Sequence, residues 1–213
     1  MKKIFYFLLV GLVPFLASCD KEKNVILKQS GTLTFKVVDN EGKGIDNAKV
    51  FIGFYDETII NDSTNASGVY KTEDLLEGVY DFSIEAKKPG GKAPYRYSRG
   101  AQVIAGENKT IEVNPFEYSS KVTITLRNGY DEPLSSMNIL ICPDMYANSL
   151  EEYKKSAYFT GKTNAQGVVL FNEVPYNYYT VVYYSDNNDS GYRTSYIYVN
   201  DPTESFNLYT YWW

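Results

Sequence analysis

The sequence predicts an all-β chain built as two tandem β-sandwiches, and three observations predict it. Two stretches echo one another, TNASGVYKTEDLLEGVYDF at 64–82 and TNAQGVVLFNEVPYNYYTV at 163–181. Apolar and polar residues alternate with a period of two through most segments. Turn formers break that alternation every several residues, as a two-sheet sandwich requires. A chain of 213 residues could hold one domain or two, and the echo decides for two. A hydrophobic fraction of 44% with 16% aromatic residues supplies packed cores and excludes wholesale disorder. Tyrosine is over-used, 21 Tyr against 2 Trp, which suits pleated surfaces because flat rings pack while their hydroxyls tolerate water.

Residues 1–18 read as a signal peptide. MKK is a positive n-region, and IFYFLLVGLVPF is an apolar run broken by Pro14, too short to span a bilayer core of about 30 Å comfortably. The following Leu16-Ala17-Ser18-Cys19 resembles the lipobox of bacterial lipoproteins, whose cysteine thiol is acylated and becomes the first residue of the mature chain. Cys19 is therefore the expected lipid attachment, with the membrane as partner through an N-terminal anchor. Each buried methylene of such an anchor contributes about 0.8 kcal/mol. A signal peptide with an incidental cysteine, or an uncleaved helical anchor, is the alternative. Asp20 and Glu22 resemble the surface-export signal of some Gram-negative lipoproteins, so the expected location is the cell envelope, as an outer-membrane lipoprotein exposed at the surface. Loss of Lys2 and Lys3 with the signal peptide would take the net charge from −5 to −7. With Cys19 lipidated, Cys142 has no disulfide partner. It alternates with the apolar face of NILICP and is expected to be a half-buried, inert thiol.

Residues 19–30 form a charged tether, and the first sandwich is expected over 31–117. Leu33, Phe35 and Val37 share one face, a turn falls at Glu41–Gly44, and Val50 and Ile52 continue the core. The second sandwich, 118–213, repeats this with Val122, Ile124 and Leu126, a turn, then Ile139 and Ile141. Between Val37/Leu126 and Gly68/Gly167 the spacing grows by about ten residues. NSLEEYKKSAYF accounts for them as a short helical insertion on a loop, with Ser149 as N-cap and Glu152 completing a capping box. Gly68 and Gly167 are expected at positive φ, ending a tight turn. Gly78 matches Asn177, and both are expected to accept the left-handed conformation. Tyr80, Phe82 and Ile84, with Tyr179, Val181 and Tyr183, should face the cores, and Thr180, Val182 and Tyr184 should point outward. Each copy yields about seven strands.

The order of strand, D-x-x-G turn (Asp39–Gly42), alternating strand, T-N-A-x-G, strand and L-x-G-x-Y (Leu76–Tyr80) resembles the carboxypeptidase-regulatory-like, transthyretin-like β-sandwich. That family is close kin of the Cna B-type domains of surface proteins. The resemblance covers both copies, although the second departs at NGYDEPL and at Asn177. It implies Ig-like/prealbumin-like Greek-key sandwiches serving as spacers, stalks and binding modules. It also implies an internal isopeptide bond among Lys36, Glu85 and Asn114. Parity argues against that bond, because Lys36 alternates with Phe35 and Val37, and Glu85 with Ile84.

The chain contains no histidine, which removes Ser-His and Cys-His catalysis and the usual zinc sites. No carboxylate pair stands out for glycoside hydrolysis; no enzyme activity, cofactor or metal is expected. A pI near 4.9 argues against nucleic acid. Asp39, Asn40, Glu41 and Asp46, and Asp186, Asn187, Asn188 and Asp189, offer oxygen ligands but match no EF-hand spacing and read as turn material. Asp62-Ser63-Thr64 resembles a short O-glycosylation sequon at Ser63, with a polar loop as the alternative. Tyr184, Tyr196 and Tyr198 form a candidate ligand-binding row, with Ile197 and Val199 facing the core. Such rings stack on sugars, anchor a protein partner or simply cover a sheet. The terminal YTYWW either ends the last strand or inserts into a partner. The expected function is a lipid-anchored, non-catalytic surface interaction or structural module. The alternatives are a glycan-binding accessory of an outer-membrane uptake system and a fimbria-like assembly component pairing through open strand edges.

Overall fold

The computed structural model describes residues 29–54, 57–186 and 191–211. The signal peptide, Cys19 and Asn187–Asp189 lie outside the described residues. Among the described residues the fold is all-β with one short α-helix. In the first half the strands are β1 (Ser30–Val37), β2 (Lys49–Phe54), β3 (Glu57–Ser63), β4 (Val69–Lys71), β5 (Leu75–Leu76), β6 (Gly78–Lys87), β7 (Pro94–Val103) and β8 (Asn108–Val113). The second half has β9 (Ser119–Asn128), β10 (Asn138–Pro143), β11 (Phe159–Lys162), β12 (Val168–Pro175), β13 (Asn177–Tyr184), β14 (Tyr192–Val199) and β15 (Thr203–Thr210), with α1 (Leu150–Ser156) between β10 and β11.

Four sheets pair into two sandwiches. In the first, β1 is flanked by β4, β5 and β8, opposite a sheet ordered β3-β2-β6-β7; in the second, β12-β9-β15 lies opposite β11-β10-β13-β14. The last strand of each runs parallel to the first, β8 beside β1 and β15 beside β9, while the remaining pairs are antiparallel. Period-two faces form the cores: Leu33, Phe35, Val37, Val50, Ile52, Tyr80, Phe82 and Ile84 in one, Val122, Ile124, Leu126, Ile139, Ile141, Tyr179, Val181 and Tyr183 in the other. Burying each such side chain contributes roughly 1.5–3 kcal/mol.

The echo has an atomic cause. Asn65 Oδ1 accepts the N–H groups of Ser67 and Val69, and Asn164 Oδ1 accepts those of Gln166 and Val168. Thr64 Oγ1 donates to the Ile45 carbonyl at 2.6 Å and accepts from Ala48 N; Thr163 does the same to Leu134 and Met137. Gly68 and Gly167 stand in the left-handed region at φ +75° and +73°, and a Cβ there would lie 2.3 Å from Val37 O or 2.5 Å from Leu126 O. Only glycine fits. The tyrosine of each L-x-G-x-Y position closes a corner, Tyr80 Oη donating to Leu76 O at 2.9 Å and Tyr179 Oη to Pro175 O at 2.7 Å.

Four expectations are corrected. Gly78 and Asn177 are absent from the positive-φ residues. Each opens a strand, paired with Val103 and Val199 respectively, so the backbone there is extended and glycine is not needed. Thr180, Val182 and Tyr184 do lie on the face opposite the core, but Thr180 and Val182 are fully buried. The insertion is more than a loop ornament, because α1 lays Tyr153 over Leu140, Cys142 and Val182 to make a third cluster. Cys142 is consequently buried outright, not half-buried, and desolvation pushes its thiol up to about 11. Ser149 caps α1 as expected, accepting from Glu152 N, although Glu152 reaches back to Asn148 N rather than to the cap itself.

Candidate functional site

The second sandwich carries an exposed tyrosine platform on β13 and β14. The strands pair without a register shift, Tyr178 opposite Tyr198, Thr180 opposite Tyr196, Val182 opposite Thr194. Tyr178 and Tyr198 stack at 4.2 Å with 21° between their planes. They remain 57% and 47% exposed, and Tyr196 is 65% exposed. Three rings thus stand on one strand pair, facing away from the core.

The platform is rigid from beneath and at its side. Tyr179, the core-facing neighbour of Tyr178 on β13, is locked by its bond to Pro175 O. Burial pushes the Tyr179 phenol well above its usual range, with Tyr158 and Tyr95 adding to the shift. Beside it, Thr180 Oγ1 donates to Met145 O at 3.0 Å and accepts from Met145 N at 3.2 Å. That clip pins the loop into α1 against the strand next to Tyr196.

Of the tyrosines expected in the row, the structure keeps Tyr196 and Tyr198 on the platform and assigns Tyr184 elsewhere. Tyr184 packs at the margin of the α1 cluster, under the Lys154 ammonium at 5.2 Å from its ring centroid. Tyr178 was missed. Parity alone could have turned it outward once Tyr179 was assigned to the core, but its pairing with Tyr198 needs the β13–β14 register.

The isopeptide residues are not brought together. Lys36 Nζ pairs with Glu112 Oε2 at 2.8 Å, Glu85 with Arg96 at 2.8 Å, and Asn114 Nδ2 donates to Asn40 Oδ1 at 2.9 Å. Lys36 and Glu85 sit on different sheets, each off the core face, as parity required. Ser63 ends β3, half-buried, with its N–H bonded to Asp62 Oδ1. Asp39 Oδ1 accepts the N–H groups of Glu41 and Lys43, and Asp46 accepts from Asn47, so these carboxylates brace their own turn. Lys162 and Asn138 hold Asp186 and lower its pKa, first through the Lys162 hydrogen bond. Among the described residues no group of three acidic or cysteine side chains could hold a metal, and no helix is long and apolar enough to cross a membrane.

Compared with known proteins, the chain matches no family model and no curated protein. Solved structures give matches of low identity and low TM-score. The Bacillus anthracis TIE protein is 18% identical, TM-score 0.37, over 86% of this chain and 34% of that one. The Streptococcal ancillary pilin is 10% identical, TM-score 0.38, over 85% of this chain and 62% of that one. GBS52, the minor pilin of Streptococcus agalactiae, is 12% identical, TM-score 0.45, over 84% of this chain and 95% of that one. This chain spans about a third of the first and less than two thirds of the second.

Proposed function

We propose that this chain is a non-catalytic structural or interaction module of the cell surface, two tandem sandwiches at 31–117 and 118–213 held to the envelope by a lipid on Cys19. The observation that supports contact rather than chemistry is the platform of Tyr178, Tyr196 and Tyr198. Exposed aromatic rings on a rigid strand pair lose little entropy on binding and supply large apolar area. Metabolic labelling with a fatty acid, followed by protease treatment of intact cells, tests the address. Wild-type chain should carry the label and be cleaved from outside, and Cys19→Ser should carry none. An unlabelled wild type would overturn the anchor.

The stacked pair also favours a second reading, a glycan-binding accessory of an outer-membrane uptake system, because a phenol face accepts the C–H face of a sugar ring. On a carbohydrate array the wild type should give a signal that Tyr178→Ala with Tyr198→Ala removes. A silent wild type ends the glycan reading and leaves a protein partner.

A further inference from the structure

The large apolar side chains that the first sandwich leaves in water are not spread over it. Among its described residues these are Phe54, Ile59, Leu76, Val79 and Ile104, and four of the five gather at one end. Leu76 pairs with Ser30 at the start of β1, and Gly78 pairs with Val103. Val79 follows Gly78 and Ile104 follows Val103. Phe54, the last residue of β2, reaches the same corner, because a Cβ on Gly78 would lie 3.6 Å from its ring. Ile59 alone stands farther along, at the register shift of β3. Leu76 and Val79 are 67% and 65% exposed. An exposed apolar cluster with a polar rim marks a protein or membrane contact.

This is the end at which the chain enters. Gln29 O accepts the Glu77 N–H, so the backbone arrives beside the corner that carries Leu76 and Val79. Cys19 stands ten residues upstream, a reach of at most about 35 Å. The second sandwich lies at the opposite end. There β8, parallel to β1, delivers Val113 to the 3-10 turn Pro115–Glu117, and Tyr95, opposite Ala86 near the end of β6, bonds to Glu173.

We infer that the entry end of the first sandwich rests on the bilayer that holds the Cys19 lipid, with Phe54, Leu76, Val79 and Ile104 entering the headgroup layer. The inference rests on the lipid-anchor reading above and adds the protein surface that the anchor brings into contact. A tether of this reach keeps the patch at high effective concentration over the lipid, whatever path the tether takes. Interfacial side chains then bind in proportion to the apolar area they bury at the boundary of headgroups and acyl chains. Charge selects the headgroup. Exposed Asp74, Glu77 and Glu107 rim the same end and the chain carries a net charge of −5, so zwitterionic headgroups, whose ammonium groups meet the carboxylates, fit it and strongly anionic ones repel it. The tyrosine platform is thereby held on the side away from the lipid.

The lipidated full chain in phosphatidylcholine vesicles tests this. A dye attached through Gln102→Cys, opposite Val79 on β7, leaves every apolar and acidic residue of the patch in place, and buried Cys142 takes no label. Lipid carrying a nitroxide should quench that dye strongly, and a dye at Tyr130→Cys in the second sandwich hardly at all. Leu76→Asp with Val79→Asp should abolish the quenching without moving thermal unfolding, since both sites are exposed, and added phosphatidylglycerol should reduce it. A Gln102→Cys dye no more quenched than the Tyr130→Cys dye, as when the chain's own tether or a second copy covers the patch, overturns the inference. So does quenching that survives both aspartates or grows with anionic lipid. A chain that fails to float with the vesicles sinks the anchor itself, whereas one that floats unquenched sinks only the contact.

Discussion

The Tyr95 hydroxyl, in the first half of the chain, donates a 2.9 Å hydrogen bond to the backbone carbonyl of Glu173 in the second. Glu173 stands at φ 55°, a left-handed conformation that side-chain-bearing residues seldom adopt, at the irregularity between Phe171 and Val174. Its carboxylate pairs with Lys88 at 2.9 Å, and the Lys88 ammonium lies 5.3 Å and 5.5 Å from the Tyr95 and Phe116 ring centroids. The rings of Tyr97 and Tyr118, 4.6 Å apart between centroids, complete a latch between the halves.

Tyr95→Phe removes the donor and leaves a carbonyl at the junction short of a partner. Chemical denaturation should record a loss of about 1–3 kcal/mol. Lys88→Met, which breaks a partly exposed ion pair, should cost less than about 1 kcal/mol.

The same phenol sets an alkaline limit. Burial, and then the Glu173 carboxylate, push Tyr95 up to about 12 from 10.0. A folded pKa raised above the unfolded one means the contribution is complete below pH 10 and is lost as pH climbs towards 12. Melting temperature should hold to about pH 9.5 and then fall. Tyr95→Phe should show a shallower fall, the remainder coming from the other groups that burial raises, Tyr179 and Cys142 foremost.

Gly68→Ala and Gly167→Ala should each cost about 1–3 kcal/mol from left-handed strain, with the close approach of Val37 O or Leu126 O adding to it. Equal losses by thermal unfolding would be expected from equal geometry. A neutral result at either site would contradict the turn described for it.

Removing Tyr153 uncovers the outer face of β10 and β13. Tyr153→Ala should cost about 3–5 kcal/mol, and Cys142, unreactive towards a thiol reagent in the native protein, should then react. The Cys142 Sγ sits 3.4 Å from Tyr153 O, so its reactivity reports directly on the cover.

The sequence carried the layers because period-two alternation and turn chemistry are local. Leu33, Phe35 and Val37 declare a face by themselves, and Asn65 and Asn164 build their turns from bonds within five residues. Where a neighbour distant in sequence decides, the reading failed. Val182 looked outward from β13 alone, and only the packing of Tyr153 reveals that this face is dry. Gly78 looked like a turn glycine because its strand partner Val103 is remote. Tyr178 gained its meaning from Tyr198 by the same route.

Parallel pairing of first and last strands has a mechanical result. A pull on Ser30 and Val113 drags β1 and β8 in opposite directions along their common axis, and the same holds for β9 and β15. The rungs between them then bear the load together in shear instead of opening one at a time. A protein fastened at one end and gripped at the other would resist being hauled apart.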